Sequence, residues 1–421
     1  MSTAGPIGHP LPGETGKGFR DGTHRIRAPR ETVARVQPLL PQMGITRVAN
    51  ITGLDHIGIP VVMVCRPNSR STSISLGKGI DLDAAMASGI MESIETYHAE
   101  RISLPLRSAS HAELRAEVRC ADVNGLPSIT DTQFTPEHEL FWIEGTDLLS
   151  QERVWLPFEM VHTNYTLPSL PGSGCFMASS NGLASGNHLL EATSHAIAEV
   201  IERDAMSLWE LKTDEQRAEV RLNLETVDDP ACRRALQRYS DSGMAVGVWD
   251  VTSDIGVPCF TCWILGSTQH YSTFSFPFAG WGCHPEKSVA LHRALSEAAQ
   301  GRLTLIAGAR DDLTWQDYEY DFSQGAFAAC EELLRRDRGE RDYRLIPNSA
   351  GDSIEADVEN QLVRLRRAGI GEVIVVDLTK YGVFDVPVVR VVIPGLEGPC
   401  DHPRYTFGAR ADRLREGGGC V

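Results

Sequence analysis

No stretch of the 421-residue chain approaches the roughly 18 consecutive apolar residues of a membrane span. The first residues, MSTAGPIGHPLPGETGKGF, have no apolar core and exclude a secretory signal. Basic residues are in deficit, 40 against 56 acidic, for a net charge of −16, which argues against a nucleic-acid binder with a broad basic face. No G-x-x-x-x-G-K-[ST] occurs, since the lysine of SLGKGID is followed by glycine. No G-x-G-x-x-G fingerprint follows a strand either. Cys259 and Cys262 form one C-x-x-C, but no second such pair and no HxxxH accompany it to complete a zinc site. A reduced, buried strand pair is the expected reading. The chain is therefore expected to be cytoplasmic, with any nucleotide site built from something other than a phosphate-binding loop.

What is present is repetition. Three segments read alike: VANITGLDHIGIPVVMV (48–64), VWDVTSDIGVPCFTCWI (248–264) and VVDLTKYGVFDVPVVRVVI (375–393). Each carries Asn50, Asp250 or Asp377, then Thr52, Thr252 or Thr379, then an apolar–Pro step at Pro60, Pro258 or Pro387. Asx-x-Thr turns hydrogen-bond their own backbone, and proline is tolerated at a strand's start. The pattern predicts three strand–turn–strand units, each preceded by a helix, at about 31–42, 229–241 and 354–368. Chance reuse of strand and turn residues is the alternative.

A second echo appears at a shift of 107 residues, which lays GKGIDLDAAMASGIMESIETY (77–97) over ASGNHLLEATSHAIAEVIERD (184–204). Glu92 meets Glu199 and Glu95 meets Glu202. At about 100° per residue, Ile197, Ile201, Asp204 and Leu208 share one stripe of the second helix, and Glu191, Glu199 and Glu202 the opposite one. In the first helix Ile90, Ile94 and Tyr97 oppose Ser88, Glu92 and Glu95. Most acidic helix faces are simply solvated. Here, however, neither E-x-x-E has the i,i+4 lysine or arginine usual on such a face. Four carboxylates brought together need cations, and oxygen-only ligands select hard ions, Mg²⁺ above all, which brings phosphates with it. Arg203 stands ready for a phosphate. A third predicted helix, EKSVALHRALSEAAQGRLTLIAGARDD (286–312), aligns Arg293, Glu297 and Gln300 on one stripe, with Arg302 nearer its apolar side. A surface i,i+4 salt bridge is the plainer reading of Arg293 and Glu297.

SLGKGIDLDAAMASGIMESIE, GLASGNHLLEATSHAIAEVIERDA and GCHPEKSVALHRALSEAAQGR together resemble the YcaO-domain family, over roughly residues 25–415. The resemblance implies an α/β, YcaO-type fold with a carboxylate-lined nucleotide site between helices. It implies one domain over 25–415, flanked by a mobile segment (1–24) and a flexible tail (416–421). ATP and Mg²⁺ are the implied cofactors. Glu92, Glu95, Glu199 and Glu202 would hold the metal. Glu191 would face the nucleoside, and Arg203, Gln300 and Arg302 would serve the phosphates or the site wall. Ser88, Arg293 and Glu297 would complete the nucleotide site, and Arg25 and Thr32 match an N-terminal nucleotide-contacting stretch. Where the family's first helix usually ends E-x-x-E-R, this chain has Thr96, so one basic contact is missing or supplied elsewhere.

The implied chemistry is ATP-dependent modification of a peptide backbone amide, giving an azoline, a thioamide or an amidine. Azoline-forming relatives usually end in Pro-x-Pro-x-Pro, and this chain ends EGGGCV. GITRVANITGLDHIGIPV with RVVIPGLEG resembles the stand-alone subgroup that often partners a TfuA-type protein and is linked with thioamidation. Thioamide formation on a ribosomally made peptide or protein, with a sulfur donor and a TfuA-like partner, is the expectation. Cyclodehydration, an accessory role in ribosomal-protein modification and small-molecule ligation are the alternatives. Cys420 is expected to be a frayed tail residue rather than a sulfur relay. A homodimer is implied by the resemblance alone.

Overall fold

The computed structural model describes residues 15–266, 277–313, 316, 324–335 and 339–416. The expected flexible tail, with Cys420, lies almost wholly outside them.

The three predicted turns form alike. Thr52 N–H donates to Asn50 Oδ1 (3.0 Å), Thr252 N–H to Asp250 Oδ1 (3.1 Å) and Thr379 N–H to Asp377 Oδ1 (2.9 Å). Each threonine hydroxyl then accepts the first backbone N–H after the proline, from Val61 (3.1 Å), Cys259 (3.0 Å) and Val388 (3.2 Å). The proline fills the one position where no ladder donor is needed, and the hydroxyl replaces the lost partner.

Each turn joins two strands of a module. Helix α1 (Pro29–Val36) precedes β1 (Arg47–Asn50), β2 (Val61–Cys65), β3 (Ile74–Lys78) and α2 (Leu82–Glu100). Downstream, β4 (Leu106–Ser110), β5 (Glu139–Asp147) and β6 (Arg153–Pro157) lead to β7 (Leu183–Ser185) and α3 (Leu189–Glu210). The second module is α4 (Pro230–Asp241), β8 (Ala245–Asp250), β9 (Cys259–Leu265), β10 (Phe278–Cys283) and α5 (Lys287–Ala307). Last come α6 (Ile354–Arg367), β11 (Ile374–Asp377) and β12 (Val388–Val392).

Two sheets are simple antiparallel triplets, β1-β2-β3 and β8-β9-β10. The third module takes β11 and β12 from late in the chain, and its closing strand β7 and helix α3 come from the middle. Its sheet continues through β5, with β4 and β6 beside it, into six strands. β12 is buried at all five positions. Val388 and Val392 join the cluster around Trp142, and Val389 and Val391 the one around Ile197 and Ile201.

One expectation needs correction. Residues 15–24 of the segment expected to be mobile are tied to α6: Thr15 O accepts Ile354 N–H (2.9 Å), and Lys17 Nζ pairs with Asp357 Oδ2 (2.8 Å). As the missing i,i+4 partners suggested, the acidic stripe of α3 is not a plain solvated face: Glu191 and Glu202 are buried and Glu199 is half-buried. Cys259 and Cys262 are free and buried as expected, and face different core clusters.

The closing helix of each module lies on its third strand with backbone close to backbone. At Gly77 a Cβ would run into the Ala85 carbonyl and the Gly89 backbone, with no flexible side chain to yield. Gly77→Ala should therefore cost at least about 2 kcal/mol in denaturant unfolding, through overpacking of a rigid contact.

Candidate active site

The 107-residue echo becomes an exchange of contacts between modules. Ser185, at the end of β7, donates to Glu95 of α2 from its N–H (2.8 Å) and hydroxyl (2.7 Å). Cys283, at the end of β10, donates its N–H to Glu202 of α3 (2.8 Å). Lys78, at the end of β3, pairs with Glu297 of α5. Each helix thus hands one carboxylate to the strand end of another module, and the three hand-offs close a ring. Glu199 instead accepts the Gly182 N–H beside its own module's strand (3.1 Å).

Burial works against the charge these carboxylates carry. Loss of water, and then Glu92 and Glu199 nearby, push Glu95 up to about 8, against the opposing Ser185 hydrogen bonds. Glu92 is accessible from the open side of the cleft. Desolvation on its other sides still raises it to about 7, with Lys78 and Arg310 opposing and Glu199 assisting. Glu199 is raised by desolvation and by Glu202, against Arg203. Glu297 goes the other way: desolvation is outweighed by Lys78, Arg203 and Arg293, and its pKa falls below the usual range. Burial alone would depress Arg203, but Glu202, Glu199 and Glu297 more than offset it, and the guanidinium stays charged. The cleft is a mosaic of carboxylates and cations.

The expected site residues divide into two groups. Glu92, Glu95, Glu199, Glu202, Arg203 and Glu297 act on one another electrostatically around the cleft. Arg293 joins them, 3.8 Å from Glu202 and 3.5 Å from His195 Nε2. Gln300 reaches Leu76 O from Nε2 (3.4 Å), and its buried Oε1 has no partner among the described residues. Ser88 is half-buried on α2.

Glu191, Arg25 and Thr32 stand together at the start of α3. Glu191 accepts the Ile26 N–H (2.9 Å) and the Asn187 N–H (3.1 Å) and lies 3.6 Å from Arg25. The Thr32 hydroxyl reaches Asn187 Oδ1 (3.1 Å). These bonds clamp the N-terminal segment to the helix, so here Glu191 serves as an anchor for the chain. Arg302 is paired outside both groups. It is 1% exposed and its Nε pairs with Asp55 (2.8 Å) in the β1–β2 connection.

Sequence reasoning passed over Lys78, Arg310 and Ser185. The signal for two of them was present: the same 107-residue shift lays Lys78 over Ser185. At Thr96, where the family usually has arginine, Arg66 Nη2 donates to the Thr96 hydroxyl (3.0 Å) while its Nη1 pairs with Glu100 (2.6 Å). Asp204, the last charge of EVIERD, turns to the other side of α3, pairs with Arg410 (2.8 Å) and accepts the Glu397 N–H (3.0 Å).

Among the described residues no three His, Cys, Asp or Glu side chains stand close enough to cage a metal unaided. The donor set nevertheless suits Mg²⁺, which binds through one or two carboxylates, waters and substrate phosphates rather than an all-protein cage. Three carboxylates whose charged form is penalised are groups that a hard cation would stabilise.

The YcaO cyclodehydratase model, described as ATP- and Mg²⁺-binding, matches residues 76–397. An uncharacterized protein in the tfuA 3′ region of Rhizobium leguminosarum bv. trifolii is 35% identical over 398 residues, 94% of this chain and 93% of its own. An uncharacterized protein of Methanothermobacter thermautotrophicus is 33% identical over 385 residues, 88% of this chain and 94% of its own. By fold, the chain is similar to YcaO from Methanopyrus kandleri bound with AMPPCP and Mg²⁺ (TM-score 0.69, 22% identity, 91% of this chain and 94% of that one). It is also similar to a heterocyclase in complex with substrate and cofactor (TM-score 0.75, 22% identity, 93% of this chain), of which it spans 54%. The chain belongs to the YcaO family, and ATP and Mg²⁺ are its cofactors. Among the described residues no helix is long and apolar enough to cross a membrane.

Two measurements check the site. A carboxylate whose folded pKa is raised stabilises the protein fully below its unfolded pKa and loses that contribution as pH rises through the folded value. For Glu95 that window runs from its ordinary value to about 8. Glu95→Gln should therefore flatten the fall in stability of metal-free protein across this window, relative to wild type, in pH-dependent unfolding. Asp55→Asn should cost about 3 kcal/mol in denaturant unfolding, because it removes the charge from one side of the buried Asp55–Arg302 pair.

Proposed function

We propose that this chain is an ATP-dependent enzyme that activates a backbone amide oxygen of a ribosomally made peptide or protein and installs sulfur there as a thioamide. The observation that carries the reading is the ring of carboxylates interleaved with Lys78, Arg203 and Arg293. Phosphoryl transfer asks of a protein mainly positioning and charge neutralisation. Glu92, Glu95, Glu199 and Glu202 are assigned to Mg²⁺. Arg203, Arg293 and Arg310 are assigned to the phosphates, and Lys78 and Glu297 to the wall that fixes their geometry. Gln300, neutral and one donor short of full pairing, suits a position beside the transferred group. Bound ATP supplies the phosphoryl group that converts the amide-derived oxygen into a leaving group. The residues hold it, neutralise it and exclude water.

The thioamide reading draws on the relative in a tfuA region, which is alike over nearly the full length of both chains. A TfuA-like protein is the partner it suggests. Azoline formation is the second reading, favoured by the family's cyclodehydratase description and the heterocyclase neighbour.

ATP turnover with candidate peptide, with and without sulfide, followed by mass spectrometry, separates the two. A product heavier by the difference between sulfur and oxygen supports the first, and loss of water supports the second. Glu199→Gln or Glu202→Gln should reduce turnover by at least about a hundredfold while the variant still folds, since the amide keeps the acceptor that Gly182 or Cys283 uses. Glu210→Gln, on the exposed end of α3, should change turnover little. Full activity in both cleft variants would refute the site.

A further inference from the structure

Behind the 179–182 turn lies a small pocket, walled by Met160, Met177, Val391 and Ile393 among others. Two polar side chains on its wall, Arg390 and Asn181, are left with unpaired atoms. Arg390 sits mid-strand on β12 and is 1% exposed. Its Nη2 donates to Ser179 O (2.8 Å), but Nε and Nη1 have no partner among the described residues. Asn181 Oδ1 is buried and equally alone. A half-turn of that carboxamide would present an N–H instead.

The neighbours do not neutralise this charge. Glu397, on the same wall, is engaged elsewhere, accepting the Tyr405 hydroxyl (2.5 Å) and the Gly408 (2.7 Å) and Ala411 (2.9 Å) N–H groups. His162 is kept neutral by burial first and Arg390 second. The Tyr165 phenol is raised by burial and stays protonated. Glu199 acts on Arg390 from beyond the turn, yet it belongs to the carboxylate cleft. A buried guanidinium with most of its donors idle is costly, and an apolar residue of similar size would ordinarily be more stable there.

We propose that Arg390 and Asn181 form a binding site for a small, weakly hydrated monoanion of the hydrosulfide class, held one turn away from the carboxylate cleft. A phosphate dianion would need more donors than this wall offers, whereas thioethers and valines penalise a poorly hydrated anion least. The turn that supplies Ser179 O to Arg390 also supplies the Gly182 N–H to Glu199, so the two sites share one short segment. The choice of hydrosulfide rests on the thioamide reading. The anion site itself rests on Arg390.

The test is thermal unfolding of wild type and Arg390→Met at constant ionic strength with hydrosulfide, iodide, acetate or phosphate. Wild type should gain stability with millimolar hydrosulfide or iodide. Arg390→Met should be the more stable protein without anion and should not respond. In turnover its half-saturating sulfide concentration should rise at least about tenfold, the loss of one charge-assisted contact. Equal responses in both proteins, preference for acetate or phosphate, or no response in wild type because water alone serves Arg390, would each overturn the site. Should Arg390→Met not fold, iodide-soaked crystals of wild type decide: anomalous density beside the guanidinium supports the proposal and its absence ends it. Anion binding with an azoline product would remove the thioamide reading and leave the pocket. Thioamide product with unchanged sulfide dependence in Arg390→Met would do the reverse.

Discussion

Carboxylates that belong to one module are satisfied by the strand end of another. Ser185 serves Glu95, Cys283 serves Glu202 and Lys78 serves Glu297, and no module completes its own share of the cleft. The arrangement solves two problems at once. Buried acceptors find donors, as buried polar groups must. The three modules are also fixed in relative position by contacts that only the assembled ring provides. Where the strand-end residue is Lys78, the hand-off is an ion pair; where it is Ser185 or Cys283, it is a backbone N–H. That difference breaks the near-threefold pattern and places positive charge on one side of the cleft.

The cleft is held together at an electrostatic cost. Glu92, Glu95 and Glu199 all have their charged form disfavoured, first by loss of water and then by one another. Strain of this kind is found where a ligand relieves it. Glu191 shows the contrast. It is more fully buried, and two backbone N–H groups and Arg25 hold it at the start of α3. Asp204 and Asp55 likewise spend their charge on Arg410 and Arg302.

Much of this was legible in the residues, because local chemistry carried it. The Asx-x-Thr turns need only their own backbone, and all three formed. Glutamates three residues apart on a helix share a face whatever surrounds them, so the two E-x-x-E pairs could be placed from periodicity. What resisted reading was tertiary. Arg302 and Arg293 are both arginines of one helix, and nothing local says that Asp55 takes the first while the cleft takes the second. Lys78 was set aside because SLGKGID fails as a phosphate-binding loop; its partner Glu297 is 219 residues away. The burial of α3 on nearly every side, which turns an acidic stripe inward, follows from packing of α6 and β12 that no window of sequence contains.

The third module has an order of assembly written into it. Its helix α3 and strand β7 are made well before β12, the strand that β7 pairs with and α3 packs against. During translation the ribosome releases two of the carboxylate-bearing helices first, then α5, and only afterwards residues 374–392. Until that last hairpin emerges, the acidic helices lack the sheet that brings them together, and long-range pairing of this kind is slow to form. A nascent or truncated chain therefore lacks the strand on which β7 pairs and α3 packs. The sheet beneath α3 is complete only once residues 388–392 have been made.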